Sequence, residues 1–115
     1  MQTQTIPDDQ WIEYFDRFSR DHMGWTATIE VLDRRSGPQN IAVNLPFQGI
    51  SFDTKGSRPC MIEVNVGDRP SRHISHMVDL PLHIRQADEA DGSIDVQIEP
   101  ADGPTTLLHL RGPMH

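Results

Sequence analysis

At 115 residues, 36% of them hydrophobic, the chain is long enough for one core and too short for two. Seventeen acidic against ten basic residues give a formal net charge of -7, which argues against nucleic acid, because duplex binding needs a basic stripe to displace condensed counterions. The lone Cys60 excludes an internal disulfide, and no apolar run approaches a membrane span.

In chain order, the stretch MQTQTIPDDQ lacks the basic-then-apolar order of a signal peptide, and the residues before Pro7 read as frayed. In IPDDQWIEYFDRFSRDHMG, Trp11, Ile12, Phe15 and Phe18 recur at helical spacing, with Tyr14 beside them. The spacing predicts one amphipathic helix over about residues 8–21. Asp8 is the expected cap for the first turn's free amides, and Gly24 the expected left-handed stop. Asp9 and Glu13 favour the first end electrostatically, and Arg17, Arg20 and His22 the other.

From Trp25 the period falls to two. WTATIEVLD alternates Trp25, Ala27, Ile29 and Val31 against threonines and Glu30; QNIAVNLP gives Ile41, Val43 and Leu45; QGISFD gives Ile50 and Phe52; CMIEVNVGD gives Ile62, Val64 and Val66. HISHMV, LPLHIRQ, SIDVQIEP and TTLLHLRG follow, with turn signals such as DRRSGPQ, GDRPSR, DEADG and PADGP between segments. Cys60, opening one of these strands, reads as a small buried hydrophobe. The expected fold is α+β, a single domain over 1–115: an N-terminal helix plugging a small antiparallel, barrel-like sheet of seven to eight short strands over about 25–111.

The stretch GDRPSRHISHMVDLPLHI holds three of the six histidines and invites a metal reading. Alternation sets His73 and His76 on opposite faces, and puts His83 and His109 outward beside Leu82, Ile84, Leu108 and Leu110. Hairpin geometry predicts Arg85 near Asp95, and His83 and His109 flanking Gln97 at roughly 9 to 10 Å, too far apart for shared zinc ligation without a third ligand. Arg85, Asp95 and Arg111 then read as cross-strand ion pairs on a solvated face. No metal and no cofactor is expected.

Ser71 and Ser75 lie near His73 and His76, with Asp68 and Asp79 flanking, but spacing does not make a triad, and no nucleophile elbow or phosphate loop occurs. If Ile74 and Val78 point inward, so does His76, as a satisfied core histidine. The loop GDRPSR carries Arg69 and Arg72 about the stiff Pro70, with Lys55 and Arg58 on the preceding turn. Arginine forks suit carboxylate or phosphate, so Arg69, Arg72, His73 and His76 form the candidate binding set for a protein or small anionic ligand. The bland reading pairs Asp68 locally with Arg69.

The segments IPDDQWIEYFDRFSRDHMGW, TIEVLD, LPFQGISFD, GDRP with its two following histidines, the ADG turn and TTLLHLR together resemble a family of short bacterial proteins, the domain of unknown function 5335. That resemblance implies a recurring stand-alone protein with helix before strands, and it brings no activity, cofactor or catalytic residue. The leading functional expectation is a cytoplasmic, non-catalytic accessory or protein-interaction module, monomer or homodimer. The alternative is a small enzyme or metal-dependent binding protein using the histidines of the 73–83 region. A third is a structural homodimer joined through sheet edges.

Overall fold

The computed structural model of the protein describes residues 2–53 and 60–113. Helix α1 (Trp11–Asp21) buries Trp11, Phe15 and Phe18, the stripe that spacing by four and three residues puts on one face. It starts later than the periodicity predicts. Asp8–Gln10 form a separate 3-10 turn, and no side chain caps it or α1, so Asp8 is not the expected cap. Ile12, one step round the helix from Trp11, is 62% exposed rather than part of the stripe. At the far end the His22 amide donates to the Phe18 carbonyl, and Gly24, at φ 86°, turns the chain into the sheet.

Eight strands make up the sheet: β1 (Gln2–Ile6), β2 (Thr26–Asp33), β3 (Gly37–Asp53), β4 (Met61–Val66), β5 (Ile74–Asp79), β6 (Pro81–Asp88), β7 (Ile94–Pro100) and β8 (Thr105–Arg111). All pairings are antiparallel, in the order β1-β6-β7-β8-β2-β3-β4-β5. The barrel-like expectation is corrected here: β1 pairs β6 and β5 pairs β4, so the sheet is open, with two edges. Closure would set β1 beside β5. Instead α1 bridges from the first edge to β3. The Trp11 indole donates to the Ile6 carbonyl at 2.9 Å and the Tyr14 hydroxyl donates to Gln86. On the other side the Trp11 ring meets Phe52 edge-on, and Ser19 Oγ both donates to the Ile50 carbonyl and accepts its amide.

β3 belongs to two halves of the sheet. Its first part pairs β2 and its second part pairs β4. The sheet thus bends into a long leaf (β1, β6, β7, β8, β2 and the start of β3) and a short leaf (the end of β3, β4 and β5). The chain changes leaf at Asn44, φ 54°, and at Leu80, φ 51°, the two non-glycine residues of positive φ among the described residues. Asn44 tolerates that conformation, and its side-chain Oδ1 accepts from the Arg111 guanidinium. The inner faces meet where His76 Nε2 lies 2.9 Å from Thr106 Oγ1. Between them sits a cluster including Phe15, Phe47, Ile29, Ile62, Ile84, Ile98, Leu108 and Leu110.

Several faces differ from simple alternation. Register shifts on either side of Ile29 turn β3 over, so Ala42 and Leu45 are buried while Ile41 and Val43 point outward. A shift between Pro81 and His83 leaves Leu82 exposed and Ile84 buried. The segment expected to fray is β1, paired with β6 through all five residues. Cys60 is exposed, not a core thiol; its carbonyl accepts the Leu80 amide.

Because Phe15 is 1% exposed under both leaves, Phe15→Ala is expected to cost about 3–5 kcal/mol. Urea melts read this as a lower midpoint at unchanged slope. A wild-type midpoint in the variant would mean that α1 does not contribute to the core.

Candidate functional site

The loop between β4 and β5 folds onto itself. The Asp68 carboxylate lies 3.6 Å from both the Arg69 and the Arg72 guanidinium, across the 3-10 turn Pro70–Arg72. Gly67, at φ 126°, backs so closely on this turn that a Cβ would stand 2.0 Å from the Arg72 carbonyl oxygen; glycine is required there. Gln48 donates its side-chain amide to the Gly67 carbonyl. Asp68 therefore offsets part of the charge that makes the arginines attractive as an anion fork. Lys55 and Arg58, expected to add to it, lie outside the described residues.

The four candidate binding residues are not gathered in one place. Arg69, Arg72 and His73 are exposed on the loop, whereas His76 turns inward to Thr106, half-buried. Burial pushes the His76 pKa below the ordinary histidine value. Ser75 bonds Asn65 rather than a histidine. Among the described residues no three of His, Cys, Asp and Glu converge as metal ligands. The metal-dependent alternative therefore has no ligand set there.

The outer face of the long leaf is more ordered. Register places Thr28, His109, Asp95, Ala87 and Thr3 in one row across β2, β8, β7, β6 and β1. Beside it runs a second row, Glu30, Leu107, Gln97, Arg85 and Thr5. These rows border a trough of about 520 Å³ that also meets Glu89. At normal strand spacing each row is roughly 19 Å long. Leu107 and Ala87 give it an apolar floor.

The observed cross-strand pairs differ from the expected ones by two residues of register, which keeps each side chain on its face. Arg85 faces Gln97 and bonds Glu99 at 3.6 Å, and His83 faces Glu99. His109 faces Asp95, which accepts a short hydrogen bond from its Nδ1, and Arg111 donates to Asn44 rather than to a carboxylate. His83 and His109 thus do not share Gln97. A carboxylate at Nδ1 fixes the tautomer of the neutral ring, leaving Nε2 free to accept. Its row neighbour Thr28 accepts the Asn44 amide at 3.2 Å, and among the described residues no hydroxyl bonds Nε2. Sequence reasoning put Arg85, Asp95, Gln97 and His109 on one solvated face, with different pairings, but did not join Glu30, Leu107 and Thr28 to it, whose signal was their outward parity on β2 and β8.

Three carboxylates, Glu30, Glu89 and Asp95, stand in the trough against one guanidinium, Arg85. The side chains of Glu30 and Gln97 hold no hydrogen bond or ion pair among the described residues. A larger cleft, about 730 Å³, lies at the sheet's end between Leu32–Arg35 and the turn 99–105. Strand ends and the turns that join them line it, and its Asp33 and Glu99 are already engaged by the Arg35 amide and by Arg85. The trough is the better candidate, because convergent polar groups over an apolar floor on rigid strands are what orient a ligand.

The family described as "Family of unknown function (DUF5335)" matches residues 2–115. This chain belongs to it. The resemblance read from the sequence is thereby confirmed. An uncharacterized protein of Aquifex aeolicus (strain VF5) is 26% identical over 112 residues, covering 96% of this chain and 94% of that protein. No solved structure matches the chain. Among the described residues no helix is long and apolar enough to cross a membrane.

His76 generates a pH prediction. Its folded pKa lies below the unfolded value of about 6.5, so the unfolded chain takes up the proton more readily. The stability tied to its neutral form is present above about pH 6.5 and is lost as pH falls through the folded pKa. His76→Gln keeps a hydrogen-bonding partner for Thr106 without this titration. Its urea midpoint should fall less than that of wild type between about pH 7 and about pH 5. Parallel declines in the two proteins would refute the assignment.

Proposed function

We propose that the protein is a non-catalytic cytoplasmic interaction module whose recognition surface is the outer trough of the long leaf, and that it takes an extended, basic segment of another protein. One observation carries the reading: an apolar-floored trough across five strands, with three carboxylates to one guanidinium and with Glu30 and Gln97 holding no partner among the described residues. A cationic side chain would find Glu30 free, while the Gln97 amide offers a donor and an acceptor to a peptide backbone. The rows are long enough for about six residues of extended chain. The net charge of -7 would also steer a basic partner toward the protein. A single cysteine suits a reducing compartment.

The Asp95–His109 pair gives the enzymatic alternative its best foothold, since a carboxylate-oriented imidazole is the form a general base takes. A nucleophile bonded to Nε2 would be needed to favour it, and Thr28 makes no such bond.

Titration of labelled nonapeptides tests the proposal. A lysine- and arginine-bearing sequence should bind, the same sequence with glutamate in place of its bases should not, and affinity should fall as salt rises. Glu30→Gln should weaken binding about tenfold, or ~1.4 kcal/mol. Joint substitution Arg69→Ala and Arg72→Ala should leave it unchanged. Equal affinity for the two peptides, or loss through the arginines instead, would move the recognition surface off the trough.

A further inference from the structure

An open sheet exposes backbone donors and acceptors at both of its edges, and this one treats its edges differently. β5 ends in Asp79 and passes at once through the positive-φ corner of Leu80 into β6. The Pro70–Arg72 turn precedes it. β1 is short and α1 reaches its end, where the Ile6 carbonyl accepts from the Trp11 indole, but Gln2–Thr5 carry none of the side-chain or bulge devices that usually blunt an edge. Gln2–Ile6 contains no charge and no proline, pairs β6 without a bulge, and leaves Gln2, Thr3, Gln4 and Thr5 exposed. A chain of net charge -7 repels its own copies, so they can meet only along a strip that lacks carboxylates. β1 is such a strip.

We propose that β1 is a self-association edge, at which a second copy of this chain adds antiparallel to make one sheet continuous through the pair. The sequence of the strand is nearly its own antiparallel complement. With the two-fold axis at Gln4, the middle residue, Gln4 faces Gln4 of the other copy and Thr3 faces Thr5. Threonine pairs across antiparallel strands are favourable, and no like charges oppose each other. Thr3 and Thr5 also end the two rows of the outer face, so the pairing sets two troughs end to end on one surface. Five residues of edge make a small interface, and the association is accordingly weak and concentration-dependent.

Sedimentation velocity over about 10 µM to about 1 mM is the test, the range in which small interfaces associate. Wild type should shift from monomer to dimer. Gln4→Lys and Gln4→Glu should each stay monomeric, because like charges would meet at the axis, and an equimolar mixture of the two should dimerise again. Amide exchange on the unmodified protein gives a second readout independent of the variants: protection of Gln2–Thr5 should rise with concentration while that of β5 does not. Wild type monomeric at 1 mM overturns the proposal and leaves the edge to a different protein's strand. So does a dimer that survives both substitutions, one that the mixture fails to restore, or protection that appears at β5 instead.

Discussion

A strand of seventeen residues would run about 56 Å if straight, at roughly 3.3 Å per residue, and the longest dimension of the whole molecule is 43 Å. β3 must therefore bend, and the rest of the architecture follows from where it does so. The bend at Asn44 divides the sheet into two leaves, each too narrow to bury its own inner face. Folding one over the other creates the core, and the second corner at Leu80 brings the chain back from the short leaf to the long one. Helix α1 completes the arrangement by setting three aromatic side chains between the β1–β6 edge and β3. Had the strands closed, that space would be filled by strand side chains and the helix would have no apolar seat.

What could be read from the sequence follows this division. The stripe Trp11, Phe15 and Phe18 was legible because helix periodicity is local and the helix carries no bulge. Most of the later strands were legible by alternation, down to the buried Ile62, Val64 and Val66. β1 was not. QTQTI buries only Ile6, so it has no alternation to see, and its pairing with β6 comes from eighty residues away. The two segments read as separate strands about Pro46 are one strand, because that proline sits near the change of leaf, where β3 gives up one partner for another. Ile41 and Val43 were misassigned for a related reason. One residue of slip inverts every side chain, and a bulge leaves no mark in a pattern of apolar residues.

The candidate site was less legible than the fold because it is a property of register across five strands, whereas the loop Gly67–His73 is contiguous and catches the eye. Contiguity misleads about charge. Two arginines beside one aspartate look like an anion fork, yet the aspartate lies between them and answers both. Across β6, β7 and β8 a shift of two residues exchanged the expected partners, giving Asp95 to His109 and Glu99 to Arg85. Local sequence holds the ingredients of such pairs, but turn geometry decides which of them meet.

The same strands supply both the core and the trough. On β7, Val96 and Ile98 point inward while Asp95 and Gln97 point out; on β8, Leu108 and Leu110 are buried while Leu107 and His109 face the trough. An outer residue is thus held in place by its inner neighbours one peptide away, and cannot drift without lifting a buried side chain. This explains why Glu30 and Gln97 hold no partner among the described residues and do not collapse onto each other: strand backbone fixes the distance between them, with Leu107 in between. A loop carrying the same residues would relax until its charges were paired, as Asp68 and its two arginines do. Unspent hydrogen-bonding capacity on a rigid sheet is available to a ligand, and the sheet's own core maintains it.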